Sequence, residues 1–145
     1  MACAGGGHDG GGSGGGGGGC KCDPPDCPTV SLAQNIQPIF DRSCAQSAAC
    51  HAGGAPTQDL NLQAGQSRRQ TVGVKATEAR GEIRVKPGDP DDSFLVKKIE
   101  YPAGTPGDQM PVGCAIESPT QGAVCPTPDE ILAIRQWITE CATDN

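Results

Sequence analysis

Cys50 and His51 stand side by side near the end of the stretch CAQSAACHAG, residues 44–53. A thiol next to an imidazole is what covalent haem attachment needs. Thiols add to the porphyrin vinyl groups, and the imidazole beside one of them reaches the iron. The usual spacing, C-x-x-C-H, keeps both thiols and the histidine on about one helical turn. Here Cys44 precedes Cys50 by six positions, and on a continuous helix six residues rotate by about 240°. Either AQSAA bulges to bring the two thiols together, or only Cys50 attaches and Cys44 pairs elsewhere. The opposite iron ligand is often a methionine thioether, which raises the reduction potential. Met110, in DQMPVG, is the one methionine besides Met1, and its loop is free to swing a sulfur over a ring.

Each of these residues also has a plainer reading. His51 could be a surface histidine, Met110 a flexible gap-filler, and Cys44 and Cys50 unrelated thiols. His8, alone among glycines, reads as solvated. CKCDPPDCP, residues 20–28, offers three soft ligands for zinc or copper, but no fourth ligand has the usual paired spacing. Cys20, Cys22 and Cys27 are expected instead in disulfides within this collar or to Cys141. The acids at 89–92 are not followed by a glutamate at the twelfth loop position, so they read as turn and helix-start residues rather than a calcium loop.

The elements that must position these residues are mostly helical. SLAQNIQPIFDRSC puts Leu32, Ile36, Ile39 and Phe40 on one face, with Ser31 as N-cap. Pro38 should kink that helix or restart it with proline in the first turn. A polar loop follows, then a weak helix around Ser67 to Val74. EIRVKPGDP predicts a short extended piece closed by a Pro-Gly turn. DPDDSFLVKKI predicts a helix with acids in its first turn and Lys97-Lys98 in its last. Residues 101–114 hold too much proline and glycine for regular structure. Thr127-Pro128-Asp129-Glu130 has the N-cap, N1 proline and N3 glutamate of a capping box. That last helix should run to about Cys141, burying Ile131, Ile134, Trp137 or Ile138, and Cys141.

Composition limits the function. Of 22 glycines, 12 lie between Gly5 and Gly19, and such a segment acts as a flexible tether. We expect residues 1–28 to be a disordered Gly-rich tether and Cys/Pro collar, and 29–145 to form one domain. Four aromatics in 145 residues make a poor core, so disulfides or a cofactor should supplement it. Nine cysteines point to an oxidising compartment or metal binding. A net charge of −6 argues against nucleic acid; Arg68-Arg69 and Lys97-Lys98 read as solvated pairs. No apolar run reaches transmembrane length. Cys3, followed by a small residue and the tether, looks like the start of a mature bacterial lipoprotein, anchored by lipid at Cys3.

The segments IQPIFDRSC, CH at 50–51, DLNL, VKPGDPDDSFLVKKI, MPVG and DEILAIRQWITECA run in one order from Val30 to Ala142. In that order they resemble the class I cytochromes c, most closely the planctomycete-type cytochrome c domains of bacterial lipoproteins. The resemblance implies a small, mainly α domain with long irregular loops in which the first and last helices cross. It implies haem c held through Cys50, with Cys44 as second attachment candidate, and His51 and Met110 as proximal and distal iron ligands. It also implies single-electron transfer without substrate chemistry, with other envelope redox proteins as partners, in the periplasm or outer envelope. Cys141 stands where such domains carry glycine, which makes it a candidate partner for Cys44. Cys114 and Cys125 are expected to form a disulfide that pins the Met110 loop. The rival is a haem-free, disulfide-stapled domain that keeps the cytochrome shape as an interaction module; the altered cysteine spacing favours it.

Overall fold

A computed structural model describes residues 29–115 and 120–145. The tether, the collar and Cys3 lie outside the described residues. Every regular element among those described is helical, joined by long irregular connections, so the protein is a small mainly α domain. The extended piece expected at 82–86 forms only isolated bridges, Val72 with Val85, Lys75 with Ile83 and Ile83 with Ser93. Among the described residues no helix is long and apolar enough to cross a membrane.

The chain enters through a π-helical turn, Leu32–Ile36, that runs into helix α1, Gln37–Ser43. Ser31 caps it, accepting from the Gln34 N–H. Pro38 explains the change of register: without an N–H it cannot bond the Gln34 carbonyl. The preceding bonds reach back five residues instead, from Ile36 to Ser31 and from Gln37 to Leu32. The expected face is intact, since Leu32, Ile36, Ile39 and Phe40 are all buried. Asn145 caps the same helix start, its carbonyl taking the Ala33 N–H and its side-chain oxygen the Leu32 N–H.

Helix α2, Ser67–Thr71, stops three residues short of the expected Val74 because Val72 turns extended to bridge Val85. Helix α3 is Phe94–Glu100. Its expected acidic first turn is corrected: Asp89, Asp91 and Asp92 sit in the turn before the helix and neutralise cations. Lys86 meets Asp89 and Asp92, Lys97 meets Asp92 and Glu82, and Arg135 meets Asp91 and Glu100. Reading Lys97-Lys98 as solvated also fails at Lys98, which is buried. Its ammonium meets Glu78 at 2.9 Å and the Pro106 carbonyl at 3.1 Å, over the Phe94 ring. Arg68 likewise donates to the Ala142 carbonyl.

Helix α4, Pro128–Thr139, starts as the sequence predicts, with both bonds of the Thr127–Glu130 capping box formed. It ends two residues before Cys141, whose φ of 79° and that of Ala142, 50°, reverse the chain. A left-handed residue after a helix is a position glycine takes without strain. α4 packs on the π turn and α1, with Trp137 edge-on to Phe40 at 6.5 Å between ring centres. The two helices run in opposite senses. Arg42, late in α1, pairs with Glu130, early in α4, while Val30 donates to Glu140.

That antiparallel arrangement overturns the Cys44–Cys141 pairing. Cys44 ends α1 beside the start of α4, and Cys141 follows its far end, about 18 Å along a twelve-residue helix. A disulfide spans Cα atoms less than about 7 Å apart. Cys44 is a free thiol.

Candidate functional site

The helix carrying the first apolar face stops at Ser43, and the chain then doubles back instead of rotating onward. The His51 N–H donates to the Cys44 carbonyl at 3.1 Å, and the Cys50 N–H to Ser47 at 3.0 Å. AQSAA therefore bulges. This closes a loop that returns Cys50 and His51 to the end of α1, removing the 240° separation a continuous helix would impose. Both thiols are free. Burial pushes the Cys44 thiol up to about 12, with the neighbouring Cys50 adding to the shift. Cys44 stays protonated at neutral pH.

His51 is held at its backbone and at its ring. Its carbonyl accepts from Leu62 at 2.8 Å. Its Nδ1 lies 3.2 Å from the Thr57 carbonyl. A carbonyl can only accept, so Nδ1 carries the hydrogen and Nε2 keeps the lone pair. Burial lowers the His51 pKa, opposed by the backbone carbonyls of Thr57 and Leu60, so the ring favours its neutral form. A neutral imidazole with one nitrogen hydrogen-bonded to a carbonyl is the usual state of a metal-ligating histidine.

Thr57 is fixed in turn. Its N–H donates to Cys50 and its hydroxyl to Ala49. The next two residues, Gln58 and Asp59, are left-handed at φ 57° and 52°, a conformation that costs a non-glycine residue about 1–2 kcal/mol. Arg84 spans them. Its guanidinium donates to the carbonyls of Gln58 at 2.7 Å, Gln70 at 2.9 Å and Asp59 at 3.4 Å, and to the Thr77 hydroxyl at 3.0 Å. Arg84 is buried, and burial pushes its pKa down. Among the described residues no carboxylate reaches ion-pair distance of it. Nothing in EIRV marked this residue out, because a strand-like run of four does not say which side chain turns inward.

Met110 shares an apolar cavity with His51, lined also by Cys44, Leu62, Phe94 and Arg84, and its enclosed room is about 60 Å³. A second cavity of about 280 Å³ shares Cys44, His51 and Met110 and adds Cys50. The four residues expected to serve a haem are thus gathered at two adjoining spaces. Met110 is better held than its composition suggests. Its N–H donates to the Lys98 carbonyl at 2.8 Å, and the Gln109 side chain donates to Ile99 at 2.9 Å. These are carbonyls in the last turn of α3, which have no partner within the helix. Cys114 and Cys125 form the expected disulfide beyond Met110.

By donor type these residues match a c-type haem: a neutral imidazole, a thioether and two thiols that share the lining of adjoining cavities. The enclosed room, about 60 Å³, is smaller than a macrocycle. Among the described residues no three His, Cys, Asp or Glu side chains are grouped to hold a bare metal ion. The class the fold defines is a small mainly α domain with an apolar cavity between a histidine loop and a methionine loop. Compared with known proteins, the chain matches no family model, no curated protein and no solved structure.

Proposed function

We propose that this chain is a c-type haem protein that carries single electrons at the bacterial cell envelope. The observation that carries the reading is the convergence of His51 and Met110 on one apolar cavity, with His51 Nδ1 anchored to the Thr57 carbonyl. A bound haem would supply the one-electron iron couple. Cys50 would hold it covalently, His51 would present Nε2 and Met110 its sulfur. Leu62, Phe94 and Leu95 would keep water away, a burial that tunes the potential. Cys44, half-buried and protonated, is the poorer attachment point. The chain would do no substrate chemistry, and its partners would be other envelope redox proteins, with Cys3 as a lipid anchor.

The test is export in a bacterial host that attaches haem, followed by intact mass and a visible spectrum. One added haem mass with a Soret band is expected, lost in Cys50→Ser and kept in Cys44→Ser. A bare polypeptide mass without a Soret band would end the reading. In the loaded protein, Met110→Ala should keep the haem, lower the reduction potential and admit cyanide or carbon monoxide. Unchanged potential and ligand binding would take Met110 off the iron.

The second reading is a haem-free interaction module stapled by disulfides. The small enclosed room, about 60 Å³, favours it. The same mass measurement separates the two.

A further inference from the structure

We infer that Arg84 is the positioning residue of His51, acting through the left-handed turn at Gln58 and Asp59. The route is continuous. The guanidinium holds the carbonyls of Gln58 and Asp59. Thr77 reinforces it, accepting from Arg84 and donating to the same Gln58 carbonyl at 3.0 Å. Gln58 directly follows Thr57, whose carbonyl takes the Nδ1 hydrogen of His51. Two successive non-glycine residues at positive φ do not hold themselves, because their side chains disfavour the left-handed region. Strained turns of this kind persist where their surroundings over-determine them, and they cluster at functional sites. Here one buried cation and one hydroxyl add to two backbone bonds of the turn, from Asp59 N–H to Pro56 at 3.2 Å and from Leu60 N–H to Thr57 at 3.3 Å.

The chemistry follows from what the Thr57 carbonyl decides. With the carbonyl in place, Nδ1 keeps its hydrogen and Nε2 is the nitrogen with a lone pair. If the turn relaxes, the carbonyl leaves, and both the tautomer and the ring angle become free. A buried arginine with its fork spent on backbone carbonyls instead of a carboxylate is costly to desolvate. Its service to the His51 loop is a physical reason for that cost. As a statement about an iron ligand the inference rests on the haem reading. As a statement about the ring it does not, and the ring can be read on the haem-free chain.

The experiment is a long-range proton–nitrogen NMR spectrum of the His51 ring in the haem-free full chain at pH 8, where the imidazole is neutral. The unaltered protein should show a single Nδ1–H tautomer. Arg84→Gln should convert it to a mixture of tautomers. Adding Gln58→Gly and Asp59→Gly to that variant should shift the ring back toward the single form, since glycine enters the left-handed region without the steric cost that Arg84 offsets. A single tautomer surviving in Arg84→Gln, or a mixture that the two glycines do not correct, overturns the inference. Should Arg84→Gln not fold, Thr77→Val reads the same network. A partial loss of the Nδ1–H form supports the inference, and an unchanged spectrum overturns it. Absence of a Soret band in the exported protein would defeat the haem reading and leave this result standing.

Discussion

The crossing of α1 and α4 and the two loops that carry His51 and Met110 are held by different physics. At the crossing, apolar side chains at helical spacing exclude water, and Ser31 and Thr127 cap the π turn and α4. Phe40 and Trp137 meet edge to face there, and Ile36 and Ile138 are fully buried. Around His51 hardly any regular backbone exists. The loops are tied by polar bonds from distant residues: Arg84 to Gln58, Gln37 to Leu62, and Met110 to Lys98. A core of the first kind tolerates change in its surroundings. A site of the second kind depends on single donors and acceptors, so it can be disturbed without unfolding the domain.

The largest effect should come from Trp137→Ala. Emptying that fully buried position should cost about 3–5 kcal/mol, measured by denaturant unfolding. A loss under about 1 kcal/mol would mean that the crossing is not the main source of stability. Next is the double change Cys114→Ser and Cys125→Ser. Opening a bridge with a sequence separation of 11 should cost about 3 kcal/mol by chain entropy. Hydrogen exchange should quicken at Met110 while α1 and α4 keep their order. Uniform acceleration across the chain would erase the distinction between the two regions.

Smaller is Thr127→Ala, which removes the capping box and should cost about 1 kcal/mol. The smallest concerns pH. The Arg42 guanidinium holds the Glu130 carboxyl down to about 2, below an unfolded value of about 4.3. A depressed folded pKa stabilises above the unfolded value and is lost as pH falls through the folded one. Stability should therefore decline between roughly pH 4.3 and 2, by less than the cap contributes because solvent screens the exposed pair. Arg42→Gln should flatten that part of the pH profile. An identical decline in the variant would assign it to other carboxylates.

The sequence determined the helices that stabilise themselves. Periodicity and caps are local properties, so the buried face of Leu32, Ile36, Ile39 and Phe40 could be read directly, as could the Thr127 capping box. Pro38 announced a break because a missing N–H acts within one turn. The Cys114–Cys125 bridge was legible because both thiols bracket one short loop. Local spacing misled where the chain turns back on itself. The six-position step from Cys44 to Cys50 seemed too long for one site, and only the closed loop at AQSAA brings them together. Cys141 seemed within reach of Cys44 until the opposed directions of α1 and α4 separated them by a helix length. Lys98 looked like a surface cation, and nothing local marked Arg84. Their burial is decided by Glu78, Pro106 and the carbonyls of Gln58 and Gln70, each at least eight residues away in sequence. Helical spacing is fixed by neighbours three and four residues on, so sequence alone can carry it. A buried charge is fixed by acceptors that only the folded chain assembles.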